Sequence, residues 1–201
     1  MIRIYIDKAE SVSNILAEAM ADDPLSTFWF PDKTDRIKKL TDMFRPEVKY
    51  CFRHGTVYAT SALMEGITLW ITLKSLPRTL GMLIQNGGLS LLFKFPIKTI
   101  QSMNAYEKFA AVIHSRIAPF PHWYLHNIAV QKPFRRKGFA GKLIKPILTE
   151  LEKREIPCYL ETQNPANVPI YEHYGFKVIN ISKIPGTGGV KNWAMLRVPG
   201  E

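Results

Sequence analysis

The chain has 201 residues and a formal charge of +10, from 27 Lys and Arg against 17 Asp and Glu. Hydrophobic residues make up 46% and charged residues 22%, which excludes wholesale disorder and a collagen-like chain. Only two cysteines occur, Cys51 and Cys158, so a disulfide scaffold is excluded and a reducing cytoplasm is expected.

Ile2, Ile4 and Ile6 alternate with Arg3 and Tyr5, the period of a strand. Asp7 is placed to cap a helix that carries Val12, Ile15, Leu16, Ala19 and Met20 on one face. Residues 21–32 read as a loop with two prolines and three consecutive aromatics, Phe28, Trp29 and Phe30. A helix over about 33–45 is expected to bury Ile37, Leu40, Met43 and Phe44. Strand-like segments follow near 48–53, 56–64 and 67–73, joined by the turn signals His54-Gly55 and Glu65-Gly66. Residues 76–117 read as helical, broken by Gly87-Gly88 and Pro96. Ile100, Met103, Phe109, Ile113 and Ile117 form a stripe on the last piece.

The C-terminal third is the most legible. A strand over 122–130 leads through a basic loop, 131–137, to a helix over about 139–154. Ala140, Leu143, Ile144, Ile147, Leu148 and Leu151 share a face of that helix. Pro146 lies inside it, where a proline costs roughly 3 kcal/mol, so a bend or a tertiary compensation is expected. A strand over 158–163 follows, then a short helix near 167–174 that Gly175 ends at its C′ position. Strands near 176–183 and 190–198 close the chain. Residues 122–163 thus form a βαβ unit, which implies a parallel pair with a right-handed crossover. The expectation is an α/β single domain over 1–201 with a helical insertion at about 74–121.

No run approaches the ~18–20 apolar residues of a membrane span. The best, Leu89 to Ile97, is interrupted by Lys94 and Pro96, and the first residues lack the features of a signal peptide. A cytoplasmic protein with no membrane partner is expected. The positive charge favours anionic partners such as nucleic acid, membrane surfaces or phosphorylated cofactors. No zinc-finger spacing or helix-turn-helix signature supports nucleic acid. His122 and His126 stand four residues apart on a strand, about 13 Å, too far to share a metal. No metal is expected.

The basic loop carries the chemistry. Arg135, Arg136, Lys137, Gly138, Phe139, Ala140 and Gly141 sit between a strand and a helix. The first turn of a helix has unpaired N–H groups and positive partial charge. Glycines let the backbone approach a ligand, so the segment suits a pyrophosphate. The alternative is a solvated basic turn. Neither a G-x-x-x-x-G-K-[ST] loop nor a Rossmann fingerprint occurs; 186-GTGGVK-191 lacks the third glycine.

Arg135-x-x-Gly138-x-Ala140 resembles the Q/R-x-x-G-x-G/A signature of the GCN5-related N-acetyltransferases (GNAT). A second block agrees: Asn164, Tyr171 and Gly175-Phe176 look like N-x-x-A-x-x-L-Y-x-x-x-G-F, with Asn167 and Ile170 at the Ala and Leu positions. The likeness is strongest to the puromycin N-acetyltransferase-like branch, in His122 to Leu125, Leu160 to Thr162, Asn167 to Glu172 and Trp193 to Arg197. It is weaker over 1–73, and 74–121 supplies no motif. Arg135 replaces the commoner Gln, and Ala140 replaces Gly, which crowds the cradle slightly.

The resemblance implies a mixed, mostly antiparallel sheet with a splayed parallel pair and helices on both faces. It implies acetyl-CoA as co-substrate and a small-molecule amine as acceptor. A homodimer stays open. Ile128, Ala129 and Val130 would face the pantetheine arm, and an N–H there can stabilise the oxyanion. Asn164 or Asn167 would bond the arm, although helix capping is an equal use for either. Tyr171 would protonate the departing thiolate, or merely pack beneath the cofactor. Glu161, His126 and His122 are the candidate bases, each with a structural alternative. Phe28, Trp29 and Phe30 would wall the acceptor site, or cap the core. Direct attack of the amine in a ternary complex is expected. The competing class is a catalytically silent acyl-CoA-binding module.

Overall fold

The computed structural model describes residues 1–72 and 86–200. Among these residues, seven strands form one sheet in the order β1-β2-β3-β4-β5-β7-β6. They are β1 (Ile2–Ile4), β2 (Gly55–Ala59), β3 (Gly66–Thr72), β4 (Trp123–Val130), β5 (Cys158–Thr162), β6 (Lys177–Lys183) and β7 (Lys191–Arg197). β4 and β5 are parallel, and the other neighbours are antiparallel. The described helices are α1 (Ala9–Ala19), α2 (Pro24–Trp29), α3 (Arg36–His54), α4 (Leu91–Lys94), α5 (Ile97–Ile117), α6 (Phe139–Lys153) and α7 (Val168–Glu172). The mixed α/β fold with one parallel pair is the one the resemblance implies.

Helices cover both faces of the sheet, and β3 shows why they must. Six of its seven residues are buried, the pattern of a strand with no wet side. Ile67, Leu69 and Ile71 join Val12 and Leu16 of α1 and Leu40, Phe44, Val48 and Cys51 of α3. Trp70 points the other way, into Leu125, Leu160, Met195 and the α6 stripe Ile144, Ile147, Leu148 and Leu151. The α5 stripe bridges two cores. Ile100 and Met103 pack on the α1/α3 cluster. Ile113, Phe109 and Ile117 pack with Tyr159 and Ala194.

Several local expectations are corrected. The helix expected at 33–45 and the strand at 48–53 are one helix, α3. Leu40, Phe44, Val48 and Cys51 recur at steps of four, four and three, a single helical stripe, and Pro46 is absorbed within it. Ile37 lies on the outer side and is exposed. Asp7 caps nothing; it sits in a 3₁₀ turn, Ile6–Lys8, and pairs with Lys8 at 3.3 Å. The loop 21–32 contains α2, which Asp23 caps through a bond from the Leu25 N–H (3.1 Å) with Pro24 at its start. The strand expected at 56–64 stops at Ala59. There the Thr60 and Ser61 hydroxyls both donate to the Glu65 carboxylate at 2.7 Å and close a turn.

Of the block expected to be helical over 76–117, residues 76–85 lie outside the described residues. The remainder divides at Pro96 as expected. α6 runs unbroken through Pro146, which is exposed, so the helix bond that proline removes lies on the wet side.

Candidate active site

β4 and β5 pair at Trp123–Cys158 and Tyr124–Tyr159 and then separate. β4 stays bonded to β3 as far as Val130, and β5 to β7 as far as Thr162. Each strand is held on its outer side, so a gap opens between them. A bulge lies in the β4 wall of that gap. The register runs Trp70–Leu125 and then Leu69–Asn127, which makes His126 the inserted residue. The insertion breaks the alternation of side chains. His126 and Asn127 therefore turn to the same face, and both reach Glu47 of α3. His126 Nε2 lies 2.9 Å from Glu47 Oε1, and Asn127 Nδ2 donates to the same oxygen.

On the α6 side, the basic loop forms a cradle. Arg136 and Gly138 both have left-handed backbone, φ +61° and +78°. Gly138 is the N-cap of α6, and the Lys142 N–H to Gly138 C=O bond (3.2 Å) opens the helix. The amides of Phe139, Ala140 and Gly141 precede that bond and point out of the helix end. A Cβ at Gly138 would meet nothing within 4 Å, so the space above is open. Arg136 and Lys137 are exposed cations. These residues fit a diphosphate, because donors, cations and the positive end of a helix converge. Arg135 acts differently. Its Nε donates to the Val130 carbonyl (3.1 Å) and an Nη to the Ala19 carbonyl (3.0 Å), tying the end of β4 to the end of α1.

Tyr171 stands on the same side, 9% exposed, with its ring against Phe176 at 6.1 Å. A Schellman turn fixes it. The Phe176 N–H bonds the Tyr171 carbonyl (3.2 Å), the Gly175 N–H bonds that of Glu172 (2.9 Å), and Gly175 takes φ +84°. Burial, then the nearby Asp23 carboxylate, push the Tyr171 phenol well above the ordinary tyrosine range, so it keeps its proton. Asn164 caps the turn after β5, accepting from the Ala166 N–H at 3.0 Å, and Asn167 Nδ2 donates to Thr162 Oγ1 at 3.3 Å. Ile128 packs on the α6 side, while Ala129 is buried against the α1/α3 cluster.

The opposite face of the gap is polar and aromatic. The Tyr159 hydroxyl donates to Glu161 Oε1 at 2.5 Å. Burial, then the Glu161 charge, hold that phenol above its ordinary range. Tyr124 is edge-on to both Tyr159 (5.5 Å) and His126 (5.2 Å). Counted from the last pair, Tyr124–Tyr159, His126 and Glu161 are each two residues further on, one on each wall of the opening. His122 belongs to the paired end instead. It is 2% exposed, its Nδ1 donates to the Phe120 carbonyl (2.7 Å), and its Nε2 meets His114 Nε2 at 2.7 Å. Burial lowers its pKa.

The three consecutive aromatics diverge. Phe30 is in the core against Phe95 (5.1 Å), and Phe28 is 39% exposed. Trp29 is edge-on to Tyr106 (5.7 Å), and its Nε1 donates to Ser102 Oγ (3.1 Å). Tyr106 accepts in turn from Gln163 Nε2 at 3.0 Å, just beyond β5. Cys51 and Cys158 are free and buried, and burial pushes the Cys158 thiol up to about 12.

The profile of the acetyltransferase (GNAT) family matches residues 94–176, the stretch from the end of α4 through the gap and the cradle to Phe176. That stretch is similar to the GNAT acetyltransferases. A curated relative, an uncharacterised N-acetyltransferase of Schizosaccharomyces pombe, is 27% identical over 182 residues, covering 87% of this chain and 72% of its own. A Corynebacterium glutamicum structure described as histone acetyltransferase HPA2 and related acetyltransferase aligns over 100% of this chain and 96% of its own, with TM-score 0.64 and 19% identity. Arylalkylamine N-acetyltransferase 2 of Aedes aegypti aligns over 98% and 97%, with TM-score 0.62 and 13% identity. At such identities these two likenesses are of fold. Among the described residues, no group of three or more His, Cys, Asp or Glu could hold a metal, and no helix is long and apolar enough to cross a membrane.

Several residues of the candidate site escape a reading of the sequence. Glu47 and Asn127 meet only because of the bulge, and Tyr106 because α5 crosses beneath β5. Arg36, 5% exposed, donates to the carbonyls of Phe30 (2.6 Å), Pro31 (2.7 Å) and Ala21 (3.1 Å) and so staples the α2 segment. A lone arginine at a helix start gives no sequence signal of that task.

Proposed function

We propose that this acetyltransferase moves the acetyl group of acetyl-CoA to a primary amine of a small molecule by direct attack in a ternary complex. The observation that carries this is the parting of β4 and β5 beside the α6 cradle, with a carboxylate- and ring-lined face on the far side. The diphosphate of the co-substrate would sit at the amides of Phe139 to Gly141 between Arg136 and Lys137, with its arm in the gap. When bound it supplies an activated thioester carbonyl. Main-chain amides of the β4 wall, near Ile128, are the donors available to an oxyanion there. Tyr171, buried and protonated, gives its proton to the departing thiolate.

Both thiols are buried, and Cys158 is held protonated, which supports direct transfer rather than an acetyl-cysteine. The acceptor is a flat or apolar primary amine. Trp29 and Tyr106 offer it ring edges, and the Aedes relative of the same fold is by its name an arylalkylamine enzyme. Phe30 does not contribute, because it is core.

Tyr171→Phe tests the acid role. It should lower kcat by about 10²-fold or more with CoA affinity nearly unchanged. An unchanged kcat removes Tyr171 from catalysis. Initial-rate lines that intersect when both substrates are varied support the ternary complex; parallel lines refute it.

A further inference from the structure

We propose that Glu47 is the outlet for the amine's proton, acting through His126. The proposal deepens the acetyl-transfer reading and rests on it. An alkyl amine has a pKa of about 10.4 and arrives as an ammonium, so a proton must leave before its nitrogen can attack. The β4 bulge holds an imidazole at the mouth of the gap. A carboxylate oxygen cannot donate, so the 2.9 Å contact between His126 Nε2 and Glu47 Oε1 puts the ring proton on Nε2. In the neutral ring, Nδ1 is then the nitrogen with the lone pair.

The side chain of His126 is 5% exposed and that of Glu47 is 17% exposed. The imidazole is nearly buried, whereas the carboxylate is wetter and lies on the α3 side. The step balances as follows. The ammonium loses H⁺ to His126 Nδ1, and the imidazolium releases its Nε2 proton to Glu47 Oε1. Glu47 passes that proton to solvent, and once the product has left, Nδ1 gives its proton to water in the vacated gap while Nε2 takes one back through Glu47, which restores the starting tautomer. The amine, now R–NH₂, is free to attack the thioester. Asn127 donates to the same Glu47 oxygen and pins the carboxylate against the ring. Glu161, across the gap and bonded by the Tyr159 hydroxyl at 2.5 Å, supplies negative charge that draws the ammonium in. Glu47 acts through His126 and is a positioning and relay residue, whereas in the proposed complex it is His126 Nδ1, buried in this structure, that faces the amine.

The test uses the full chain, acetyl-CoA and the amine that the wild type acetylates fastest in a panel of alkyl amines. His126→Gly and Glu47→Gln should each lower kcat by about 10²-fold, the low end of a general-base contribution, with CoA affinity retained. Added imidazole should restore His126→Gly in proportion to its concentration. It should fail to restore His126→Gly/Glu47→Gln, because the replacement ring then has no carboxylate to pass its proton to. A purely structural Glu47 would not gate that rescue. Equal rescue of the single and double variants overturns the proposal. So does a wild-type kcat in Glu47→Gln, which preserves shape and an acceptor oxygen and decides the matter even if the glycine variants fail to fold. A wild type that acetylates no amine sinks the acetyl-transfer reading itself, a result distinct from any variant's.

Discussion

Asp23→Asn should stabilise the protein at neutral pH, although Asp23 is a helix cap. The carboxyl is half-buried at the start of α2. Burial pushes its pKa to about 6 from an ordinary 3.8, and the bond from the Leu25 N–H only partly opposes that push. Between those two values the folded chain holds a proton that the unfolded chain has lost. Stability therefore falls as pH rises through this window, and the penalty is complete above about pH 6. A carboxyl held about two pH units high costs about 3 kcal/mol at ~1.4 kcal/mol per unit, an upper figure. Asparagine removes the charge and keeps an oxygen for the Leu25 N–H, and Asn caps helices as well as Asp does. Thermal unfolding of both proteins from pH 4 to pH 8 measures this, and their difference cancels every other carboxylate. The variant should melt about 6–12 °C above wild type near pH 7.5, at ~2–4 °C per kcal/mol for a chain of this size. The gap should shrink toward zero near pH 4. A variant no more stable than wild type at pH 7.5, or a gap independent of pH, refutes the reasoning.

Gly138→Ala puts a side chain at φ +78° where nothing else crowds it. The αL strain of about 1 kcal/mol should lower the melting temperature by roughly 2–4 °C. Titration calorimetry should show weaker CoA binding, because the added methyl fills the space above the helix-start amides; unchanged affinity would mean that the diphosphate sits elsewhere. N-ethylmaleimide should label neither buried cysteine in the native protein and should leave turnover intact. Rapid inactivation that acetyl-CoA prevents would instead place a thiol in the site.

What was legible in the sequence is what local chemistry alone decides. Gly175 marks the end of α7 because only a left-handed residue closes a Schellman turn, and Tyr171 is fixed by counting back from it. The βαβ unit is visible because a helical stripe, Leu143 to Leu151, stands between two apolar strands. The C-terminal part of α3 is not, because Val48, Lys49, Tyr50, Cys51 and Phe52 alternate almost like a strand. Tertiary burial of Val48 and Cys51 on one stripe overrides that period. The acceptor side is the least legible. Glu47 and Asn127 are 80 residues apart and meet through a one-residue register shift, which no spacing encodes. The aromatic triplet misleads for a related reason: α2 is helical, so successive rings fan out by about 100° each instead of forming a wall.

The net charge of +10 says less than where charge is placed. The exposed cations Arg136 and Lys137 gather at one end of the gap on the α6 side, where the proposed diphosphate would sit. On the far face stand the carboxylates Glu47 and Glu161, tied to an imidazole and a phenol. An ammonium is repelled by the first group and drawn to the second, and a diphosphate the reverse. At physiological ionic strength, charges act over a screening length of about 8 Å, so each group acts mainly on the ligand nearest to it. In the proposed reaction the two reactants approach from opposite faces of the sheet and meet where β4 and β5 part. That meeting point needs no side-chain nucleophile. It needs a proton outlet on the amine's side and a proton donor on the thiolate's side. The proposed outlet, His126 with Glu47, lies toward α3 and the proposed donor, Tyr171, lies in the cluster on the α6 side, so the sheet stands between base and acid.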